Sequence, residues 1–435
     1  MGVVKKNSPL GVLGRGVRLG KLGLSLTGSY VGYQLQNLWL GDEERSQRKH
    51  RFQQGASRKV RKELGSLKGA AMKLGQLLSL QTQALPDESI QELANLQMRA
   101  PGMHPTLARA QFKSSLGKYP EDIFAEFAPE PFAAASLGQV HRAVTRQGEQ
   151  VAVKIQYPAI RSTIENDFKL LRSATLPGRV TGHFPLAILN EIQRGFLEET
   201  DYVNEGKNLE FFSSGLAGFD YFCVPSVYWD LTSDRVLTMS FVEGKHLQDL
   251  LKSRPSAAVR NLIGERLVEL YYHQVHRLKA IQADQHPGNF LFHPDGKIGL
   301  IDFGCVKRIR FDASELIRCC VARSWANDSE QAQHVLGLIF GQTVPPAKAR
   351  TMLRALDELA GILYPRGNSS EQCVDFGEAK LLATMGRCLG TALRDKLTNP
   401  EFAFISRADL GIYSLLHQLR AKVKPAEVWR RVSKK

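Results

Sequence analysis

The sequence predicts an α+β fold of two lobes, a small strand-rich lobe and then a mostly helical one, with a helical extension ahead of both. Three observations predict it. Residues 132–155 read as strands and turns. Residues 256–281 and nearly everything beyond Arg310 read as helix. Within that helical half, a short hairpin is flanked by Gln282-Ala283-Asp284-Gln285-His286-Pro287-Gly288-Asn289 and Ile301-Asp302-Phe303-Gly304, two clusters of oxygen-bearing side chains. The expected divisions are a basic N-terminal segment over 1–57, a helical extension over 58–130, an N-lobe over 131–244 and a helical C-lobe over 245–435.

With 435 residues, 43% hydrophobic and 23% charged, the chain is ordered and globular and long enough for a large core. Its formal charge of +15 is unevenly placed: residues 1–75 hold 15 Lys or Arg against four acids. Such a leader suits an anionic membrane surface or nucleic acid. The membrane is favoured, and nucleic acid is not expected as a partner. Leu22 to Leu40 adds Leu, Val, Tyr and Trp without the interleaved aromatic and basic residues of a nucleic-acid groove. Gln34, Gln36, Asn37 and several glycines make it too polar for a spanning helix, and a solvated arm is the alternative. Met1-Gly2 is followed by Lys where a myristoylation signal wants Ser or Thr. The absence of acids before Asp42 is compatible with mitochondrial targeting. Six cysteines without Cys-x-x-Cys or zinc-like spacing to His read as buried thiols of a reducing compartment.

Element by element, Leu64, Leu67, Ala71, Leu74 and Leu78 predict an amphipathic helix over 59–83, with Lys73 and Gln76 on one face. A helix follows over 105–116. Phe132 to Val140 contains Ala133-Ala134-Ala135-Ser136, and Val151-Ala152-Val153-Lys154 is a strand ending in Lys. Leu186 to Leu209 reads as one acidic helix, Arg235 to Gly244 as a strand entering a hinge, and 256–281 as a helix. Phe290–Phe292, the turn Pro294-Asp295-Gly296-Lys297 and Ile298–Ile301 form the hairpin that carries Asn289 to Asp302. Further helices are expected over 313–325, 331–340, 347–363, 377–389 and 408–422.

The chemistry follows from spacing. Phosphoryl transfer needs a carboxylate near the moving phosphate and oxygen ligands for Mg²⁺. Asp284-x-x-x-x-Asn289 keeps the spacing of a protein-kinase catalytic loop, although Gln282-Ala283 replaces the usual His-Arg, and Asp302 opens an Asp-Phe-Gly. Val-Ala-Val-Lys154 matches the strand whose Lys pairs with the α- and β-phosphates, so the fold is expected to be protein-kinase-like. Its carboxylate partner is left open among Glu165, Glu191, Glu198, Glu199, Asp201 and Glu205. Ser240 and Val242 lie where backbone groups would hold an adenine edge. Alanines stand where glycines usually approach phosphate, which predicts altered nucleotide handling. No Ala-Pro-Glu and no long segment follow Gly304, so a peptide-docking platform is not expected.

Lys73-Leu74-Gly75-Gln76, Ala133-Ala134-Ala135-Ser136, Val151-Ala152-Val153-Lys154, Glu199-Thr200-Asp201-Tyr202 with Glu205, and the Asp284–Asn289 and Asp302–Gly304 pair, in this order, resemble the ABC1/UbiB (aarF-domain) family of atypical protein-kinase-like proteins. The resemblance implies a two-lobed fold whose Lys-x-Gly-Gln helix covers the active site. It implies that Lys73 and Gln76 meet Glu199 and Asp201 in a regulatory contact, and that Glu205 partners Lys154. Asn289 and Asp302 would hold Mg²⁺, and Asp284 would take the catalytic position. ATP or ADP would lie under Ala133–Ser136 and against Ser240 and Val242. Members resemble ATPases that support ubiquinone biosynthesis at a membrane, with anionic lipid, quinone precursors and other proteins of that pathway as partners. This sequence lacks the strongly apolar C-terminal hairpin of the UbiB type, so membrane attachment is expected to rest on the basic leader. The expected location is peripheral, on the cytoplasmic face of a bacterial inner membrane, with the mitochondrial inner membrane as the alternative. A nucleotide-gated lipid-binding scaffold without useful turnover, and a protein or small-molecule kinase, are the rival functions.

Overall fold

A computed structural model describes residues 103–435 except 136, 176–185, 311, 327, 366–372, 396, 398 and 435. The basic leader, most of the 58–130 extension, Lys73, Gln76 and Ser136 therefore lie outside the described residues. The chain divides into two compact units, one running to Val203 and including Tyr228–Met239, the other comprising Asn204–Val227 and Ser240–Lys435.

The first unit begins with helix α1 (Pro105–Leu116), as expected from the sequence, and a short α2 (Pro120–Ile123). Strands β1 (Glu126–Phe127), β2 (Ala133–Ala135), β3 (Gly138–Val144) and β4 (Gln150–Gln156) follow. The β3–β4 hairpin is fully registered, with Val140 opposite Lys154. The alanine run is itself a strand: Ala133 pairs with Val140 and Ala135 with Gly138. Phe112, Phe124, Val151, Val153, Ile155 and Val236 form the core between α1 and the sheet. Helices α3 (Ile160–Thr175) and α4 (Leu186–Glu198) complete most of this unit, with Phe168 tilted against Phe196 at 5.8 Å.

The single helix expected over 186–209 is two helices, because α4 ends at Glu198 and α5 spans Tyr202–Leu216. At the break, Gln156 Nε2 donates to the Thr200 carbonyl (2.9 Å) and Tyr202 N–H to Asp234 O (3.2 Å). Backbone groups that would continue a helix are thus used on strand neighbours. After β5 (Phe222–Cys223), strand β6 (Val236–Ser240) joins β4 and closes the sheet order β1-β3-β4-β6.

The second unit is built on α6 (Leu247–Lys252) and α7 (Ala257–His273). The helix expected to reach 281 instead ends at His273. A π-helical turn over Gln274–Leu278 and left-handed Lys279 (φ 47°) reverse the chain into strand β7 (Ala280–Gln282). Strand β8 (Phe290–Phe292) pairs antiparallel with β9 (Ile298–Leu300) around Gly296, whose φ of 85° suits the turn. Strand β10 (Val306–Arg308) returns along β7. Helices α8 (Ala313–Ala322), α9 (Ser329–Phe340) and α10 (Pro346–Leu363) follow, then strand β11 (Val374–Asp375), helices α11 (Lys380–Arg394) and α12 (Pro400–Leu419), strand β12 (Lys422–Val423) and helix α13 (Pro425–Lys434). Helix α12 stops before the expected 422 because Arg420 turns left-handed (φ 49°) and β12 pairs with β11. The small β11–β12 ribbon and α13 were not legible in the sequence. Trp429 of α13 is buried against Tyr272 of α7.

Candidate nucleotide-magnesium site

In the first unit, Lys154 occupies the centre of β4, a strand buried on both faces from Val151 to Gln156. Only 5% of Lys154 is exposed, and its ammonium lies 5.0 Å from the Tyr202 ring centroid. A buried ammonium needs anionic or π partners to offset lost hydration. Ahead of it, Gly138 sits where any Cβ would run into the Ile155 carbonyl oxygen and lie 2.9 Å from the Tyr202 hydroxyl. That glycine, rather than the alanines before it, permits the close strand approach.

Of the carboxylates left open for Lys154, Glu165 faces Arg161 at 3.7 Å and Glu198 faces Arg194 at 3.9 Å, both on exposed helix surfaces. Asp201 is exposed and Glu199 is 8% exposed, whereas Glu205, in the first turn of α5, is 1% exposed. The side chain of Glu191 is outside the described residues. Spacing along α5 puts Glu205 on the face shared by Asn208 and Phe212. Asn208 Nδ2 donates to the Phe303 carbonyl (3.0 Å), and Phe212 packs on the fully buried Phe303 ring at 4.6 Å. Helix α5 thus grips the Asp-Phe-Gly segment from the face that carries Glu205.

The second unit gathers the remaining oxygen groups. Ala283 N–H donates to Cys305 O (2.8 Å), and Gln282 is paired opposite Val306, so Asp284 emerges from the end of the β7–β10 ribbon. His286 Nδ1 accepts from Gly288 N (3.1 Å) and organises the turn Pro287–Asn289. Asn289 Nδ2 donates to the Asp284 carbonyl (2.8 Å), which turns the amide oxygen, the atom a hard cation takes, away from that bond. Ile301 N–H returns to Asn289 O (3.2 Å), bringing Asp302 to the same end of the hairpin. Asp302 Oδ1 accepts from Gly304 N–H (3.0 Å), and Gln282 Nε2 donates to the Asp302 carbonyl. Gln282 therefore stands where a catalytic loop usually has His, and it ties the loop to the Asp302–Gly304 segment. Asn289 and Asp302 together offer amide and carboxylate oxygens, the donor set that suits Mg²⁺.

Ser240 is already engaged: its N–H donates to Ser226 O (2.8 Å), and its hydroxyl accepts from Ser226 N–H (2.9 Å). Beyond it the chain settles on the hairpin, with Lys245 and Phe292 exchanging backbone bonds of 3.0 and 2.8 Å. Val242 packs over Gly299, where a Cβ would come within 2.7 Å of its Cγ1.

One residue had no signal in the sequence. Arg407 of α12 reaches Asp284, its Nη2 3.0 Å from Oδ1, with both side chains about one-fifth exposed. The helix can come this close because Gly411 passes Gln285 with no side chain of its own; a Cβ there would lie 2.5 Å from Gln285 Cβ. Arg407 is 123 positions from Asp284, in an otherwise ordinary helix, so no local pattern points to it.

A family model for the ABC1 atypical kinase-like domain matches residues 95–336. The chain belongs to the ABC1 atypical kinase-like family. This ABC1 chain is 34% identical over 243 residues to Arabidopsis thaliana protein ACTIVITY OF BC1 COMPLEX KINASE 7, chloroplastic, a match covering 55% of the chain and 35% of that relative. It is 32% identical over 279 residues to mouse AarF domain-containing protein kinase 1, covering 62% and 53%. The chain spans between a third and about half of the length of the first curated relatives it matches. Among solved structures, Mycobacterium tuberculosis Rv3197, in complex with erythromycin, superposes with a TM-score of 0.60 at 25% identity over 89% of this chain and 98% of that one. The kinase-like α+β fold expected from the sequence is therefore established. Arg407 lies beyond the matched domain. Among the described residues, no helix is long and apolar enough to cross a membrane.

Proposed function

We propose that this ABC1 protein is a Mg²⁺-dependent ATPase that supports ubiquinone biosynthesis at a membrane. The reading is carried by one observation, the hydrogen-bonded loop that brings Asn289 and Asp302 to one end of the β8–β9 hairpin and ties Asn289 to the Asp284 carbonyl. Asn289 and Asp302 would hold Mg²⁺, which neutralises charge on the phosphate oxygens when the nucleotide is bound. Lys154 would anchor the α- and β-phosphates, and Glu205, the most buried of the described candidate carboxylates, would serve as its partner. Ala133–Ala135 would lie along the phosphates, and the chain from Ser240 to Val242 would hold the adenine edge. Asp284 orients the attacking water and accepts its proton, and Arg407 holds Asp284 in place while adding positive charge where the transferred phosphate gains negative charge. Lys73 and Gln76 would close over Glu199 and Asp201, limiting access to large acceptors. The basic leader would bring the protein to anionic lipid and quinone precursors, peripherally and on the cytoplasmic face of an inner membrane.

The decisive assay is ATP hydrolysis by the purified full chain with anionic vesicles and Mg²⁺. Asp302→Asn is expected to reduce turnover to background, and full activity in that variant would sink the site assignment. A second reading draws on the Arg407–Asp284 ion pair, which occupies the carboxylate that turnover needs. In it, nucleotide binding gates lipid affinity without useful hydrolysis, and Mg-nucleotide would alter vesicle co-sedimentation while phosphate release stays at background.

A further inference from the structure

Glu315 and Cys319 stand one turn apart on α8, and His334 faces them from α9. The sequence offers no recognisable metal spacing here, since His334 comes from a separate helix. In space, the carboxylate, the Sγ and the imidazole nitrogen all lie within 4.8 Å of one another. Glu315 Oε1 is 3.7 Å from Cys319 Sγ and 3.8 Å from His334 Nε2. Zinc bond lengths of about 2.0–2.3 Å in a tetrahedron require donor separations of roughly 3.5 Å, so the two distances from Glu315 are a few tenths of an ångström from ligating geometry, and closing the Cys319–His334 separation, within 4.8 Å, takes a side-chain adjustment of about 1 Å at most.

The surroundings fix the carboxylate. Arg318 Nε donates to Glu315 Oε2 at 2.8 Å, which leaves Oε1 directed at Cys319 and His334. An outer partner that orients a ligand in this way is a recurrent feature of metal sites. Asp312 Oδ2 lies 3.8 Å from the Arg318 guanidinium, so Arg318 faces two carboxylates. Glu315 and a Cys319 thiolate then balance a divalent cation. Cys319 is 4% exposed, whereas His334 is about half exposed, giving a route for entry and room for a water as fourth ligand.

We propose that Glu315, Cys319 and His334 form a zinc site that clamps α8 to α9. Thiolate, imidazole and carboxylate together select a borderline-soft ion over Mg²⁺ or Ca²⁺. Binding replaces the Cys319 thiol proton, which leaves to solvent as the sulfur–zinc bond forms. The site is independent of the nucleotide chemistry and adds a cross-link just beyond the Asp302–Gly304 segment.

The test uses the full chain, zinc salt and a competing chromogenic chelator. One zinc per chain is expected, with affinity falling at least tenfold in Cys319→Ser and in His334→Ala, and unchanged in Cys373→Ser, which alters an exposed thiol elsewhere. Cobalt substitution should add a sulfur-to-metal charge-transfer band that Cys319→Ser removes and His334→Ala weakens. Circular dichroism of both metal-free variants checks that they fold. Absence of stoichiometric zinc in the wild-type chain, or equal affinity and an unchanged cobalt spectrum in folded Cys319→Ser, would overturn the proposal.

Discussion

The two units hold their candidate nucleotide residues by different physical means. Lys154 is fixed in a regular strand whose neighbours are buried on both faces. Asp284, Asn289 and Asp302 lie in irregular backbone, where side chains of Gln282, Gln285 and Asn289 donate to the carbonyls of Asp302, Gln282 and Asp284. A strand position is sensitive to added volume, because interiors are close-packed. A polar loop is sensitive to lost donors and charges, because its geometry is set by a few directional bonds. The same small change should therefore harm stability in one unit and chemistry in the other.

After Asp302→Asn, the largest effect is expected at Arg407. Replacing it with Ala should lower ATP turnover by about 100-fold, the scale of removing one preorganised charge partner from an active site. The melting temperature should change little, since the ion pair is partly exposed and such pairs contribute little to stability. Arg407→Lys should recover only part of the rate, because an ammonium cannot reproduce the guanidinium fork. Turnover that is unchanged or increased in Arg407→Ala would mean that α12 covers the loop without taking part in the reaction.

Gly138→Ala probes the opposite kind of restraint. The new methyl meets the Ile155 carbonyl, a backbone atom that cannot rotate away, so a stability loss of about 2–3 kcal/mol is expected. A denaturant midpoint will show it. If the midpoint is unchanged, β3 and β4 are looser than their register implies, and the proposed rigidity of Lys154 fails with it.

These two residues also mark what could be read from the sequence. The β8–β9 hairpin and the strand that carries Lys154 were legible because alternation, turn residues and fixed motif spacing are local properties, although that strand runs on to Gln156 rather than ending at the Lys. Helix ends were not: Tyr202 is diverted by the Asp234 carbonyl, and the chain after His273 is reversed at Lys279, both through partners or backbone states that only the fold supplies. Arg407 is the extreme case, since one Arg among many on helices has no signature until α12 lies against the catalytic loop. Gln282 was visible as a departure from His-Arg, yet its bond to the Asp302 carbonyl emerges only in three dimensions.

Gln282→Met keeps volume and removes the donor, so it isolates that bond. ATP turnover should fall by roughly tenfold, a loss of about 1.4 kcal/mol of transition-state positioning. Stability should stay within about 1 kcal/mol, because the change also removes a buried Oε1 that has no hydrogen-bond partner. A large stability loss with normal turnover would move Gln282 from positioning the site to holding the core.

The last expected effect appears only as pH changes and concerns Asp409, two positions beyond Arg407 on α12. Desolvation raises its carboxyl to about 7, while the hydrogen bond from Tyr271 acts in the opposite direction. The folded protein therefore holds this proton more tightly than the unfolded chain does. Its contribution is fully present below the ordinary carboxylate value of 3.8 and is lost as pH rises towards about 7. Asp409→Asn cannot ionise, so it should be more stable than the parent at pH 8, by up to about 4 kcal/mol, and nearly equal to it at acid pH. Melting temperatures of both proteins across this range test the sign directly. A variant that is less stable at pH 8 would mean that the ionised carboxylate is welcomed at this position, and that α12 carries a balanced charge beside Arg407 rather than a neutral acid.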